Sequence, residues 1–201
     1  MKWLPAMAIG TVLLAAPATV RRASVANPSI TIRDIDGVRR QPLLAAPGHA
    51  AALFFVTEDC PVSNYYSHEI RRICEDYAHR GLGCSLVYAD PATTDERARR
   101  HAAEYGHGDY PKIVDRNQAL IGATHAAITP TAVVIRSDAS IAYRGRIDNF
   151  YAAIGQPRRI VTEHDLRDAL DAVFSGRPVA KPETPVVGCY IDDLTRAHAG
   201  R

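Results

Sequence analysis

The chain has 201 residues, 47% of them hydrophobic, which is enough for one domain with a substantial core. Its 24 basic residues nearly balance 22 acidic ones, for a net charge of +2, and no run of like charge forms a binding arm. Composition therefore gives no support to nucleic-acid binding.

The first informative stretch is the N-terminus. Lys2 precedes an apolar run from Leu4 to Ala16 that is too short to anchor in a bilayer. Small-residue sites follow at Ala16-Pro17-Ala18 and at Ser24-Val25-Ala26. A basic start, a short apolar run and small residues at a cleavage point describe a secretory signal peptide. The competing reading is a buried N-terminal helix, but Pro5 and Pro17 bracket the run and no helical stripe crosses it. The expected organisation is a signal peptide over 1–26, with maturation near Thr19 or Asn27. One domain over 27–191 and a flexible C-terminus over 192–201 follow. No later stretch is long and apolar enough to span a membrane, so the mature protein is expected to be periplasmic or secreted, where disulfides persist.

In chain order, "SITIRDIDGVRRQPL" alternates and turns at Asp36-Gly37, which predicts a small hairpin. Ala51 to Thr57 is continuously apolar and reads as a central strand buried on both faces. Pro61 suits a first helical turn, and Tyr66, Ile70, Ile73, Cys74 and Tyr77 then mark one helical face. Cys84 to Asp90 is a second buried strand. "TTDERARRHAAEYG" is a polar helix capped by Thr94 or Asp95 and stopped at Gly106. "PKIVD" is a short strand and "NQALIGATHA" a short helix. Thr131 to Arg136 and Ser140 to Arg146 form a hairpin about "SD". Thr162 is expected to cap a last helix, with Asp165 at the capping-box position and an apolar face of Leu166, Ala169, Leu170, Val173 and Phe174. The tail from Gly176 has no periodicity. Alternating β and α segments closed by a hairpin and a helix give an α/β fold with a central mixed sheet and helices on both faces, an N-terminal hairpin and a C-terminal tail.

Cys60 stands where a buried strand ends and a helix begins. Free amides and the helix dipole there favour an anion, and a thiolate is one, so its pKa should fall below about 8.5. Glu58 and Asp59 oppose this. The bland alternative is a small buried core residue. A second signal is the step Thr129-Pro130 entering the strand "TAVVIR". Alone, it is a proline at an ordinary strand start.

Taken with "CPVSN" (Cys60 to Asn64), "YRGRIDN" (Tyr143 to Asn149), "HDLRDALDAVFSGRPV" (His164 to Val179) and "GCYI" (Gly188 to Ile191), the chain resembles the peroxiredoxin-like redoxin group, of the alkyl hydroperoxide reductase/thiol-specific antioxidant type, in the thioredoxin superfamily. The resemblance implies a thioredoxin-like fold in which Pro130 is cis beside Cys60 and Thr129 offers backbone hydrogen bonds to a bound thiol. Thr57, Pro61, Ser63, Thr129 and Pro130 would then line the substrate site, with no cofactor. The partner implied is a thiol or disulfide of another protein, or a small thiol. Two departures bear on peroxide reduction. Thr57 stands three before Cys60 as in peroxiredoxins, but Leu53 occupies the position of their proline, and no spacing marks Arg144 or Arg146 as the distant arginine. In the group the cysteine aligns with the first cysteine of the thioredoxin Cys-x-x-Cys. Thiol–disulfide exchange is therefore expected ahead of peroxidase activity.

Ser63 replaces the second cysteine of that motif, so a mixed disulfide on Cys60 needs another thiolate to resolve it. Cys189 is the candidate, set against a structural or free thiol beneath the tail. With no helix or strand pattern to hold it, the tail is expected to move towards Cys60 or to bridge a second subunit. Cys74 and Cys84 are candidates for a structural disulfide, or for reduced core residues. A zinc site is not expected, because no Cys or His pairs have ligand spacing. His125, five residues before Pro130, raises a copper-binding alternative with Cys60, although Ser63 is a poor Cu(I) ligand; a helix-end histidine is the plainer reading. Tyr65, Tyr66 and Tyr151 line a groove near Cys60 or simply pack. A scaffold that keeps the fold without turnover is the non-enzymatic rival.

Overall fold

In the computed structural model, which describes residues 24–25 and 27–192, a short hairpin comes first. Its strands β1 (Ile32–Arg33) and β2 (Arg39–Arg40) are only two residues each. The buried Asp34 carboxylate accepts from the amides of Asp36 and Val38 and from Arg40 Nε, which fixes the turn. There follow β3 (Ala50–Val56), α1 (Pro61–Ala78), β4 (Leu82–Tyr88), α2 (Asp95–Glu104), β5 (Lys112–Val114), α3 (Ala119–Thr124), β6 (Ile128–Thr129), β7 (Thr131–Arg136), β8 (Ile141–Gly145), β9 (Tyr151–Ala153), β10 (Gln156–Pro157), α4 (Asp165–Phe174) and β11 (Cys189–Tyr190). Apart from Ser24, Val25 and Asp192, the expected signal peptide and flexible C-terminus lie outside the described residues.

Five strands form the central sheet in the order β5-β4-β3-β7-β8. The pairs β3–β4 and β4–β5 are parallel, and β3–β7 and β7–β8 antiparallel. All seven residues of β3 are buried, as its unbroken apolar run requires. Pleating sends them to opposite faces. Ala50, Ala52, Phe54 and Val56 face one core with Tyr66, Ile70 and Ile73 of α1 and Leu166, Ala169 and Leu170 of α4. Ala51, Leu53 and Phe55 face the other, with Leu120 and Ala123 of α3, Leu43 and Val25. Helices thus cover both faces.

The structure corrects several expected boundaries. β4 begins at Leu82, two residues before Cys84, and ends at Tyr88. Thr162 does not cap α4. Asn149 takes that threonine's hydroxyl and amide with its own side-chain amide and also accepts from Glu163 N, so the helix starts later, after His164. Asp165 is not a capping-box partner either; its carboxylate accepts from Arg146 Nε. The tail is the main departure. It is tied down where mobility was expected. Arg144 N donates to Pro182 O, Thr184 N to Arg144 O, and Thr184 Oγ1 meets the Tyr143 hydroxyl at 2.6 Å. β11 then pairs antiparallel with β6.

Cys74, on the buried face of α1, is joined to Cys84 of β4 by a disulfide, with Cα atoms 6.0 Å apart. Cys74 lies fourteen positions along the helix from Cys60, about 20 Å at the helical rise. That separation makes the bridge a staple between helix and sheet rather than a relay to Cys60. Replacing both cysteines by serine should cost about 2–3 kcal/mol in urea denaturation, given the short loop closed. The alkylation rate of Cys60 in the folded variant should not change.

Candidate functional site

The end of β3 delivers the chain into a tight turn, in which Cys60 N donates to Thr57 O at 3.3 Å. Cys60 has extended geometry (φ −84°, ψ 108°) and is the N-cap of α1, with Pro61 in the first helical turn. An N-cap normally uses a side-chain oxygen to accept a free helical amide. Here a sulfur does it: Ser63 N donates to Cys60 Sγ at 3.5 Å. Cys60 is only 1% exposed. Across from it, Thr129 and Pro130 are joined by a cis peptide bond. The Cys60 thiol donates to Thr129 O at 3.4 Å, and the hydroxyls of Thr57 and Thr129 lie 3.2 Å apart.

β11 completes the site. Cys189 is paired with Thr129 and Tyr190 with Ile128. Ile191 N donates to Ala127 O at 3.0 Å, and Thr129 Oγ1 donates to Cys189 O at 3.4 Å. This register packs Cys189 against the core cluster that holds Cys60, and the two thiols are electrostatically coupled. Burial pushes the Cys60 thiol up, but the neighbouring Cys189 thiol, the Ser63 amide and Thr129 outweigh it and hold the pKa below its ordinary value. Cys189 moves the opposite way. Burial, its hydrogen bond to Cys60 and the charge on Cys60 push it up to about 11. The two thiols titrate as a coupled pair in which Cys60 gives up its proton before Cys189. The Ser63 hydroxyl is buried and makes no hydrogen bond, so this residue serves the sulfur through its amide.

The opposition expected from Glu58 does not materialise. Its carboxylate is turned to Thr93 Oγ1 (2.7 Å) and Arg97 Nε (3.1 Å). Asn64, quoted in the motif without a role, braces the turn. Its Nδ2 donates to Glu58 O at 2.9 Å and its Oδ1 meets His101 Nε2 at 2.9 Å. His101 Nδ1 in turn lies 3.0 Å from the buried Tyr88 hydroxyl. Burial lowers the His101 pKa and keeps it neutral, so Nε2 carries the proton donated to Asn64. Nothing in helical periodicity separates this inward-facing histidine from a surface one.

Other candidates lie elsewhere. Arg144 pairs with Glu183 and donates to Thr124 O, and Arg146 pairs with Glu163 and Asp165, so neither is free to serve Cys60. Leu53 is fully buried in mid-strand. His125 is exposed at the C-terminal end of α3, in the left-handed conformation. No group of three or more His, Cys, Asp or Glu among the described residues is placed to hold a metal. Tyr65 stacks on Phe150 with ring centres 4.3 Å apart and meets Tyr66 and Tyr151 edge-on, so the three tyrosines form one aromatic cluster with Phe150. The Tyr66 hydroxyl donates to Asp148 at 2.5 Å.

No protein-family model and no curated protein matches the chain. Solved structures do. An uncharacterised conserved protein from Geobacillus kaustophilus aligns at 27% identity and TM-score 0.72, over 90% of this chain and 98% of that one. A hypothetical protein from Sinorhizobium meliloti 1021 aligns at 25% identity and TM-score 0.71, over 86% and 94%. A secreted disulfide oxidoreductase from Mycobacterium tuberculosis aligns at 14% identity and TM-score 0.53, over 72% and 96%. The fold is thioredoxin-like. Within it, Cys60 at the start of α1 and Thr129-Pro130 at the start of β7 meet as the resemblance implied, and the tail adds a second sulfur.

The assigned pairing is open to test. Cys189→Val keeps the bulk over Cys60 and removes its donor, so the Cys60 pKa should rise. Ultraviolet titration of the thiolate measures this; an unchanged Cys60 titration contradicts donation from Cys189.

Proposed function

We propose that the protein is an exported thiol–disulfide exchange protein in which Cys60 is the nucleophile and Cys189 the resolving thiol. The observation that carries this reading is the register of β11, which sets Cys189 opposite Thr129, whose carbonyl accepts from the Cys60 thiol, with the pKa of Cys60 lowered and that of Cys189 raised. The Cys60 thiolate attacks one sulfur of a partner disulfide. A Cys60–partner bond forms, the partner's S–S bond breaks, and the second partner sulfur leaves as a thiolate that takes up a proton. Cys189 then loses its proton and attacks Cys60 Sγ, forming the Cys60–Cys189 disulfide and releasing the first partner sulfur as a thiol. Two electrons pass from the protein dithiol to the partner disulfide; the reverse sequence oxidises a partner dithiol. Thr129 and Pro130 shape the groove, and the Ser63 amide holds charge on Cys60. The substrate class is a disulfide or dithiol, in another protein or a small molecule.

Thioredoxin-like neighbours described as disulfide oxidoreductases favour this chemistry. Peroxide reduction has less support, because Arg144 and Arg146 are committed to carboxylates and Leu53 stands in the proline position. Export rests on the N-terminal pattern, and no helix among the described residues is long and apolar enough to cross a membrane. Val25 is 5% exposed, packs in the second core and donates its amide to Ala139 O. Cleavage after Ala18 keeps that packing, whereas cleavage after Ala26 removes it. The mature chain is therefore expected to begin at Thr19, a start that intact-mass measurement on exported protein reads directly.

Mild oxidation should yield a Cys60–Cys189 disulfide in non-reducing peptide maps. Cys189→Ser should leave Cys60 held as a mixed disulfide with the partner. A Cys189 that stays a free thiol after full oxidation of Cys60 contradicts the resolving role.

A further inference from the structure

The proposed reaction needs a partner sulfur at Cys60, yet Cys60 is 1% exposed. β11 lies on this side of the site, with Cys189 packed against the core cluster that includes Cys60. This segment occupies the backbone edge of Ala127 to Thr129, in antiparallel register, with a cysteine at the residue opposite Thr129. An extended peptide offering a sulfur to Cys60 would require the same edge. We infer that Gly188–Ile191 is an internal stand-in for a partner segment, a strap that must leave the edge before an extended, cysteine-bearing peptide can dock there. The inference rests on the exchange reading and adds to it a gate and a preference among partners.

Three features of the strap support this. First, its seat admits no side chain at the residue before the cysteine: a Cβ on Gly188 would lie 1.8 Å from Thr129 O. Second, its hold is light. β11 has two residues and Tyr190 is 83% exposed, so half-buried Cys189 and Ile191, one on each core, are the apolar contacts that release must give up. Gln118 Nε2 donates to Asp192 O at the far end. Third, the hold upstream is firm. Thr184 is bonded to Tyr143 and to Arg146 N, and Arg144 pairs with Glu183. Release therefore pivots between Thr184 and Gly188, over Pro185-Val186-Val187, and leaves the domain intact. A docking peptide meets the same Thr129 carbonyl, so it needs glycine before its cysteine. Occupation of the edge by peptide and attack by Cys189 exclude one another. The mixed disulfide must slip from the edge before the strap returns to resolve it.

The test separates the gate from the chemistry by removing the resolving thiol from both proteins compared. Cys189→Ser keeps the strap. Gly188→Val with Cys189→Ser drives it off Thr129. The probe is the peptide Val-Val-Gly-Cys-Tyr-Ile carrying its cysteine as a mixed disulfide with thionitrobenzoate. Attack by Cys60 releases the coloured thiolate. The double variant should react about tenfold faster or more, because its open state is no longer a minor population. Replacing glycine by valine in the peptide should slow both proteins. Equal rates for the two proteins overturn the strap and leave exchange standing. No release from either variant or from wild type overturns exchange and the strap with it. A measurement on Cys189→Ser alone covers the case in which the double variant does not fold. Excess peptide with serine in place of its cysteine should speed hydrogen exchange at the Ile191 amide, which donates to Ala127; unchanged protection there also overturns the strap.

Discussion

A thiol buried at 1% exposure gives up its proton readily only if donors surround its sulfur, and the rest of the site follows from how this chain supplies them. One donor comes with the helix: a cysteine at the N-cap receives the Ser63 amide as an oxygen would. Thr129, at the next strand entry, and Cys189, from the far end of the chain, also contribute to the lowered pKa. These groups are 69 and 129 positions from Cys60, so only the assembled sheet brings them together. The acidic neighbours do not undo the arrangement, because Glu58 spends its charge on Arg97 and Thr93.

The sheet sets the positions. β3 and β7 lie side by side, so the end of one and the start of the other meet at a single edge, with Thr57 against Thr129. β6 then leaves its outer edge open to one further strand, which the tail takes. Register matters here, because side chains alternate across a strand. A slip of one residue would put Gly188 or Tyr190 opposite Thr129 and turn the second sulfur away. The close contact between Gly188 and the Thr129 carbonyl guards against this slip, since neither neighbouring residue can take the place of a glycine.

What was legible in the sequence is what local chemistry decides. An unbroken apolar run specifies β3 and β7, and a 3.6-residue stripe specifies α1; Thr94 caps α2 by accepting from Arg97 N. Cys60 and Thr129-Pro130 stood out because each breaks the apolar pattern at an element boundary. The short strands β6 and β9 to β11 carry no periodicity, and distant pairing alone creates them. For the same reason the tail around Cys189 reads as mobile. The Thr162 cap failed through a competitor: Asn149, thirteen positions upstream, takes its hydroxyl and amide. The brace from Asn64 to His101 was hidden because a buried histidine and a surface histidine look alike in a polar helix.

The pairing of unequal thiols also bears on the order of events. At neutral pH a thiol held at about 11 is almost entirely protonated, and a protonated thiol is a poor nucleophile. Cys189 is thus silent while Cys60 carries the charge. Of the three causes that raise Cys189, two are the hydrogen bond and the charge of Cys60 itself. Once Cys60 is tied up in a mixed disulfide its sulfur is neutral, and both causes disappear. The Cys189 pKa then falls towards the ordinary thiol range, and the thiolate fraction grows when there is a bond for it to break. The lowered pKa of Cys60 contributes in the other direction, because a more stable thiolate leaves faster when the Cys60–Cys189 bond is attacked by an outside thiol. A second cysteine at position 63 would sit on the helix within reach of Cys60 at every stage. Serine there cannot form that disulfide, so in the proposed scheme the timing of resolution falls to Cys189 on β11.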